Sequence, residues 1–281
     1  MSRGRSRDAS PPPAPPALPG EVFDAHCHLD AMAARAGRAP DTDYVAEVMD
    51  QARAVGVTRV ITVGDSVTAS RWCVATAEAH PDVYAAVAVH PTEVGDLDEA
   101  GYAELAELAA HPRVVAVGET GLDYYWDTVS PDVQQRHFRR HIELASSAGK
   151  PLMIHDRDAH ADVVRIVGEV GAPVAGVVFH AFSGDAAMAR TCQAAGYVLS
   201  FPGVVTFTNA RQLHDAVRAT SPEALLVETD APFLTPHPYR GRPNSPYLVP
   251  LTTTTVADLT RTDLSVLCAG IRATGERLFG W

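Results

Sequence analysis

The chain has 281 residues, 46% of them hydrophobic, with four cysteines and a formal net charge of −11. That length suits one large domain, about 250 residues being usual for a single α/β barrel, and no apolar run reaches the ~18 residues of a membrane span. Nucleic-acid binders usually carry the opposite charge balance, so a nucleic-acid substrate would here require a local positive field.

Residues 1–20 are rich in Pro, Ser and Arg and lack the apolar h-region of a secretory signal. They read as a disordered, solvated, Pro-rich tail, with 21–281 as the folded domain. From Glu21 onward, short Val-rich runs at 22–24, 59–64, 83–90, 114–119, 151–155, 176–180, 196–201 and 225–230 alternate with helical patterns. Most of these runs are continuously apolar, as parallel strands covered on both faces are. Val45, Val48, Met49, Ala52 and Val55 follow helical spacing up to Gly56, a C-terminal stop. Ser130 followed by Pro131 predicts a helix start, and Gly149 its end. Helices also fit 68–79, 99–110, 159–170, 185–195 and 209–220, with a last one through Leu264, Leu267, Ile271 and Leu278. Eight strand–helix units predict a (β/α)8 TIM barrel. A doubly wound sheet is the alternative, but no GxGxxG or GxxxxGK[ST] follows a strand, so no nucleotide cofactor is expected. Cys27, Cys73, Cys192 and Cys268 form no CxxC pair and are expected as free thiols in a reducing cytoplasm.

Barrel enzymes place their chemistry at the C-terminal ends of the strands. Those ends carry His26, His28, His90, Glu119, His155, His180 and Asp230, and so hold five of the 12 histidines. His26 and His28 are two apart, hence on one side of a strand, and can hold one metal ion. Glu119 directly follows four apolar residues and a glycine, where an unpaired carboxylate is costly. A salt bridge would satisfy it; bridging two ions with its two oxygens fits the neighbouring histidines better. His155 and His180, each alone a plausible core histidine, together offer two nitrogen donors. Asp230 is the candidate ligand that also orients or deprotonates an attacking water. Glu228, two residues earlier, faces the same way and either fixes a ligand or is purely structural. The only lysine, Lys150, precedes strand five at the wrong end of the barrel, which excludes a carboxylated-lysine bridge and a Schiff-base mechanism.

The motifs FDAHCHLD, AVHP, GETGLDYYW, MIHDRDA, FHAFSG and VETDAPFLTP run in order from residue 23 to 236, with a weaker match, RGRPNSPYLVP, to 250. In these the sequence resembles the TatD family of metal-dependent deoxyribonucleases, a barrel family related to the amidohydrolases. The resemblance implies metal ligation by His26, His28, Glu119, His155, His180 and Asp230, with Glu119 bridging two divalent cations (Zn, Mg or Mn). It also implies DNA as substrate, exonuclease-type cleavage often from a 3′ end, and a role in DNA repair or fragmentation. Ala181 stands where the family often has Cys, and the segment after Asp230 departs from the usual Arg/Lys and Asn pattern.

Four neutral histidines and two carboxylates carry a formal charge of −2, which two divalent ions would turn into +2. That is the local field an acidic protein needs to accept a phosphodiester. His90, Arg157, Arg240 and Arg242 lie just past strand ends, where they can contact phosphate or, for the arginines, form surface ion pairs. Tyr124, Tyr125 and Trp126 can stack a base or cap the mouth. Two rivals remain: a metal-dependent amidohydrolase or esterase acting on a small molecule, and a binding or scaffold barrel with weakened catalysis.

Overall fold

The computed structural model describes residues 10–281. Its eight strands are β1 (Val22–Cys27), β2 (Val57–Val63), β3 (Val83–Val87), β4 (Val114–Asp123), β5 (Leu152–Arg157), β6 (Val177–Phe179), β7 (Val198–Phe201) and β8 (Leu225–Val227). They pair in parallel in sequence order, β1 to β8. The ring closes where Cys27 bridges Ala231, with the Asp230 amide donating to His26 O (2.9 Å) and the His28 amide to Ala231 O (2.7 Å). The buried Asp24 reinforces that seam: it accepts from the Thr229 amide (2.9 Å) and pairs with the Thr229 hydroxyl. The expected (β/α)8 barrel is the fold.

The helices follow the strands: α1 (Leu29–Arg35), α2 (Thr42–Ala54), α3 (Val67–Ala79), α4 (Glu99–Ala109), α5 (Pro131–Ala148), α6 (His160–Val170), α7 (Ala186–Ala194), α8 (Arg211–Ala219), α9 (Val249–Thr260) and α10 (Leu264–Phe279). Local chemistry sets several starts: Asp41, Ser66, Asp98 and Asp185 each cap a helix by accepting from a backbone amide three residues on. Ser130 sits at the start of α5 as expected, although its hydroxyl donates to Asp132 instead of accepting a cap bond. Gly149 ends that helix in the left-handed conformation, φ 63°. Every residue of β1 and β4 is buried, because helices cover the outer face and side chains fill the inner one. At the end of the chain, Trp281 packs edge-on against Phe23, ring centroids 4.9 Å apart.

Three expectations change. The strand containing Glu119 does not end there but runs on to Asp123, while β3, β6 and β8 stop short of His90, His180 and Asp230. α9, with its run of four threonines, was not anticipated, because β-branched residues are poor helix formers; here the Thr253, Thr255 and Thr260 hydroxyls donate to carbonyls four residues back. Residues 10–20 do not stand away from the barrel as a tail. Leu18 packs on the core and its amide donates to Val55 O (3.0 Å), and the Tyr247 hydroxyl donates to Pro12 O (2.7 Å). Prolines pre-set φ, which lowers the entropy cost of laying this segment down. The remainder of the expected tail, 1–9, lies outside the described residues. No helix among the described residues is long and apolar enough to cross a membrane.

Candidate metal centre

Two β-bulges aim the central side chains. Between Val117 and Thr120, β4 advances three residues while β5 advances two, from Leu152 to Ile154, so Gly118 and Glu119 contain one residue more than the partner strand. β1 does the same between Asp24 and Cys27 against β2, at Ala25 and His26. A bulge bends its strand and re-aims a side chain, here Glu119 and His26. Gly121 makes the approach of β4 to β5 possible: it has φ 142°, and a Cβ there would lie 2.0 Å from His155 O.

The result is one carboxylate divided between two groups of donors. Glu119 Oε1 lies 3.6 Å from His26 Nε2 and 3.3 Å from His28 Nε2. Asp230 Oδ1 faces the same two nitrogens at 3.8 and 3.6 Å. Glu119 Oε2 lies 3.1 Å from His155 Nδ1 and 2.9 Å from His180 Nε2, and those nitrogens are 3.3 Å apart. Four donors around an ion at ~2.1 Å are separated from one another by roughly 3.4 Å when tetrahedral, which is the spacing seen in both groups. His26, His28, Asp230 and Glu119 Oε1 therefore fit one cation. His155, His180 and Glu119 Oε2 fit a second with a position left open. Asp230 takes up φ 53°, a conformation tolerated by Asp more readily than by most residues.

The outer ring nitrogens are also engaged, which fixes the ring orientations. His28 Nδ1 donates to Val63 O (3.0 Å), His155 Nε2 pairs with Asp123 Oδ2 (3.0 Å), and His180 Nδ1 pairs with Glu228 Oε1 (3.3 Å). His26 Nδ1 faces the Met153 sulfur at 3.2 Å. Each histidine thus turns one nitrogen to the centre and keeps the other occupied.

The electrostatics match a site built for positive charge. Burial opposes protonation of His180, yet Glu119 and Glu228 hold its pKa well above the ordinary imidazole value. Burial likewise opposes protonation of His28, and Asp230 and Glu119 outweigh it. Conversely, burial disfavours ionised Glu119, but His180 and His26 keep its pKa well below the usual carboxylate range. Protons and cations compete for such a donor set.

The remaining expected residues fall in different places. His90 lies beside the centre, its ring 4.4 Å from that of His155, and burial lowers its pKa to about 4. It forms a further group with Asp123 and His155. Its Nδ1 meets the Thr92 hydroxyl at 2.6 Å. Arg157 lines the cavity over the centre and lies over the Tyr125 ring at 3.8 Å. Arg240 lies farther out, 5.4 Å from the Phe207 ring centroid. Arg242 is engaged by the N-terminal segment: its guanidinium donates to Ser10 O (2.9 Å) and Pro11 O (2.8 Å). That contact gives the guanidinium partners within the chain, beside the phosphate contact or surface ion pair expected of it. Tyr125 and Trp126 are half exposed, whereas the Tyr124 hydroxyl donates to Asp162 (2.9 Å). Lys150 donates to Val114 O (2.6 Å) at the start of β4, away from the centre. All four cysteines are free and buried.

Asp123 and Asp24 were not singled out. Asp123 was accessible to sequence reasoning: with Glu119 and Gly121 it continues a period of two in GETGLD, once the strand is allowed to pass Glu119. Its Oδ1 also accepts from the amides of Tyr125 (3.0 Å) and Trp126 (3.2 Å), so it shapes the loop as well as holding His155.

The chain is similar to known proteins along most of its length. A family model described as TatD related DNase matches residues 23–280. An uncharacterized metal-dependent hydrolase, TatD, of Mycobacterium tuberculosis is 52% identical over 243 residues, covering 85% of this chain and 90% of its own. The uncharacterized metal-dependent hydrolase YabD of Bacillus subtilis is 40% identical, covering 92% and 98%. Among solved structures, YJJV, a TatD homolog from Escherichia coli, superposes with a TM-score of 0.85 at 25% identity over 92% of this chain and 98% of that one.

Proposed function

The chain belongs to the family of TatD related DNases and is a metal-dependent hydrolase; on that premise we propose that it hydrolyses phosphodiester bonds of DNA, in the manner of an exonuclease, with two divalent cations at the barrel mouth. One observation carries this reading: Glu119 presents Oε1 to His26 and His28 and Oε2 to His155 and His180. A carboxylate split in this way is suited to a pair of ions, and paired ions suit in-line displacement at phosphorus, where both the entering and the leaving oxygen need stabilising. When bound, the cations (Zn, Mg or Mn) would supply that charge stabilisation and render a water molecule acidic enough to attack.

The protein's own groups do the rest. Asp230, beside His26 and His28, receives the proton of the attacking water. His90 stays neutral at physiological pH because burial holds its pKa low, so it contacts a phosphoryl oxygen as a neutral hydrogen-bond donor. Arg157 and Arg211 line the cavity of about 560 Å³ over the centre. Neither has a carboxylate within 4.0 Å among the described residues, although acidic groups outnumber basic ones in this chain, 34 to 23. Guanidinium groups without a carboxylate partner favour an anionic substrate over the neutral amide or ester of a small-molecule hydrolase.

The test is cleavage by cation-stripped protein after return of Mg²⁺, Mn²⁺ or Zn²⁺, with labelled single- and double-stranded DNA set against a panel of amides and carboxylic esters. Cation-dependent release of nucleotides, abolished in Asp230→Ala, is expected. Turnover of an ester or amide without DNA cleavage would transfer the site to the small-molecule hydrolases, and binding of DNA without turnover of any substrate would make it a scaffold.

A further inference from the structure

A second cavity, of about 570 Å³, adjoins the one over the metal centre. The two share Val204, Asn209, Ala210 and Leu234 as a common wall. Both have the size of small-ligand sites, ~300–1,000 Å³. The second contains no donor of the metal centre, so its purpose is not explained by the chemistry there.

Its lining has three properties that belong together. First, Arg35 from α1 and Arg240 from the loop after β8 border it, and neither has a carboxylate within 4.0 Å among the described residues. Among the described residues no acidic side chain lines the cavity, in a chain whose net charge is −11. Second, aromatic rings are presented there: Phe233 is 50% exposed, which is unusual for so large an apolar side chain beside polar chemistry, and Phe207 lies under the Arg240 guanidinium at 5.4 Å. Third, the cavity is joined to the reacting centre through Phe233, whose ring stands edge-on to the metal-donor ring of His28 with centroids 6.1 Å apart.

Cations without acidic partners accept a phosphate, and exposed rings accept a base; successive nucleotides need both in alternation. A small neutral substrate would need neither. We propose that this cavity binds the nucleotide next to the scissile phosphate, its base against Phe207 and its outer phosphate between Arg35 and Arg240. The ligand class is an unstacked nucleotide of a polynucleotide strand, since a base held inside a duplex cannot present its face to a ring. This rests on the phosphodiesterase reading and adds a site that the metal centre alone does not require.

The experiment compares bis(p-nitrophenyl) phosphate, a diester with no flanking nucleotide, with oligothymidylates of increasing length, using the cation-loaded full chain and the variants Arg35→Gln and Phe207→Leu. In the native protein kcat/KM should rise about 10-fold or more once a flanking nucleotide can fill the cavity, the scale of one base stack. Both variants should lose most of that gain while cleaving the small diester at the native rate, which also shows them to be folded. Cleavage with no dependence on length, or variants that keep the gain, would overturn the site and leave the phosphodiesterase reading standing. So would variants that slow the small diester as much as the oligonucleotides. Failure to cleave any diester would overturn both.

Discussion

His180 stands between two carboxylates: its Nε2 is 2.9 Å from Glu119 Oε2, and its Nδ1 is 3.3 Å from Glu228 Oε1. Glu228 is fully buried and also accepts from the Ala181 amide at 2.7 Å, so it cannot turn away from the ring. It thereby fixes which nitrogen faces the centre and strengthens that nitrogen as a donor. Glu228→Gln should keep the bond to Ala181 but lose the charge. Cation affinity, measured by competition with a chelating dye, should fall about 10–100-fold with near-native circular dichroism. Unchanged affinity would show that Glu228 serves the fold alone.

Gly121 governs how closely β4 and β5 approach beside His155. A Cβ at this position would meet His155 O at 2.0 Å, and its φ of 142° is itself strained for any side chain. Gly121→Ala should therefore cost about 2–4 kcal/mol. The urea midpoint of unfolding measures this, and a midpoint equal to that of the native protein would contradict the strand register described.

His141 offers a pH dependence away from the metal centre. Burial lowers its pKa from 6.5 to about 4, and it is held neutral with Nδ1 donating to His137 O (2.9 Å) and Nε2 accepting from the Val89 amide (3.4 Å). The unfolded chain takes up this proton first as pH falls. The stabilisation is complete above the unfolded value and is lost progressively towards the folded one. Between about pH 7.5 and about pH 5 this amounts to ~2 kcal/mol. His141→Gln retains an acceptor for Val89 and does not titrate, so its stability should fall less over that interval by about this amount. Equal slopes in the two proteins would exclude the assignment.

Arg242 fastens the segment before β1. Its guanidinium donates to Ser10 O, Ser10 Oγ and Pro11 O, and Tyr247 holds Pro12 nearby. Arg242→Ala should lower stability by about 1 kcal/mol, as expected for partly exposed charge-assisted bonds. Limited proteolysis should then cut within residues 10–17 faster than in the native protein. An unaltered cleavage rate would mean that Leu18 and Tyr247 anchor the segment without Arg242.

The barrel and the donor set were legible because their signals are local. Continuous apolar runs mark buried parallel strands, and a polar residue ending such a run, as in PLMIH or GVVFH, marks the rim where the donors gather. The parts that were not legible depend on contacts between distant residues. Asp24 is a closure residue only because Thr229, 205 positions away, meets it across the seam. Arg242 reads as a phosphate contact or a surface ion pair until Ser10 is seen beside it, 232 positions away. Asp123 was hidden by a boundary: a charged residue after an apolar run suggests a strand end, and the bulge at Gly118–Glu119 that lets β4 continue has no sequence mark beyond Gly118 within it and Gly121 just after it. The threonine-rich α9 is the opposite case, where tertiary packing overrides a poor local propensity.

The division of Glu119 between two donor groups is tested most directly by titrating cation-stripped protein with Zn²⁺ or Mn²⁺ while recording the rate of cleavage of a labelled DNA strand. Cleavage should remain low through the first equivalent and rise with the second, and Glu119→Gln should lower the plateau by about 10³-fold or more, the scale of losing a principal charge-stabilising group. Full activity at one equivalent, or a Glu119→Gln variant that cleaves at the native rate, would contradict a two-cation centre bridged by this residue.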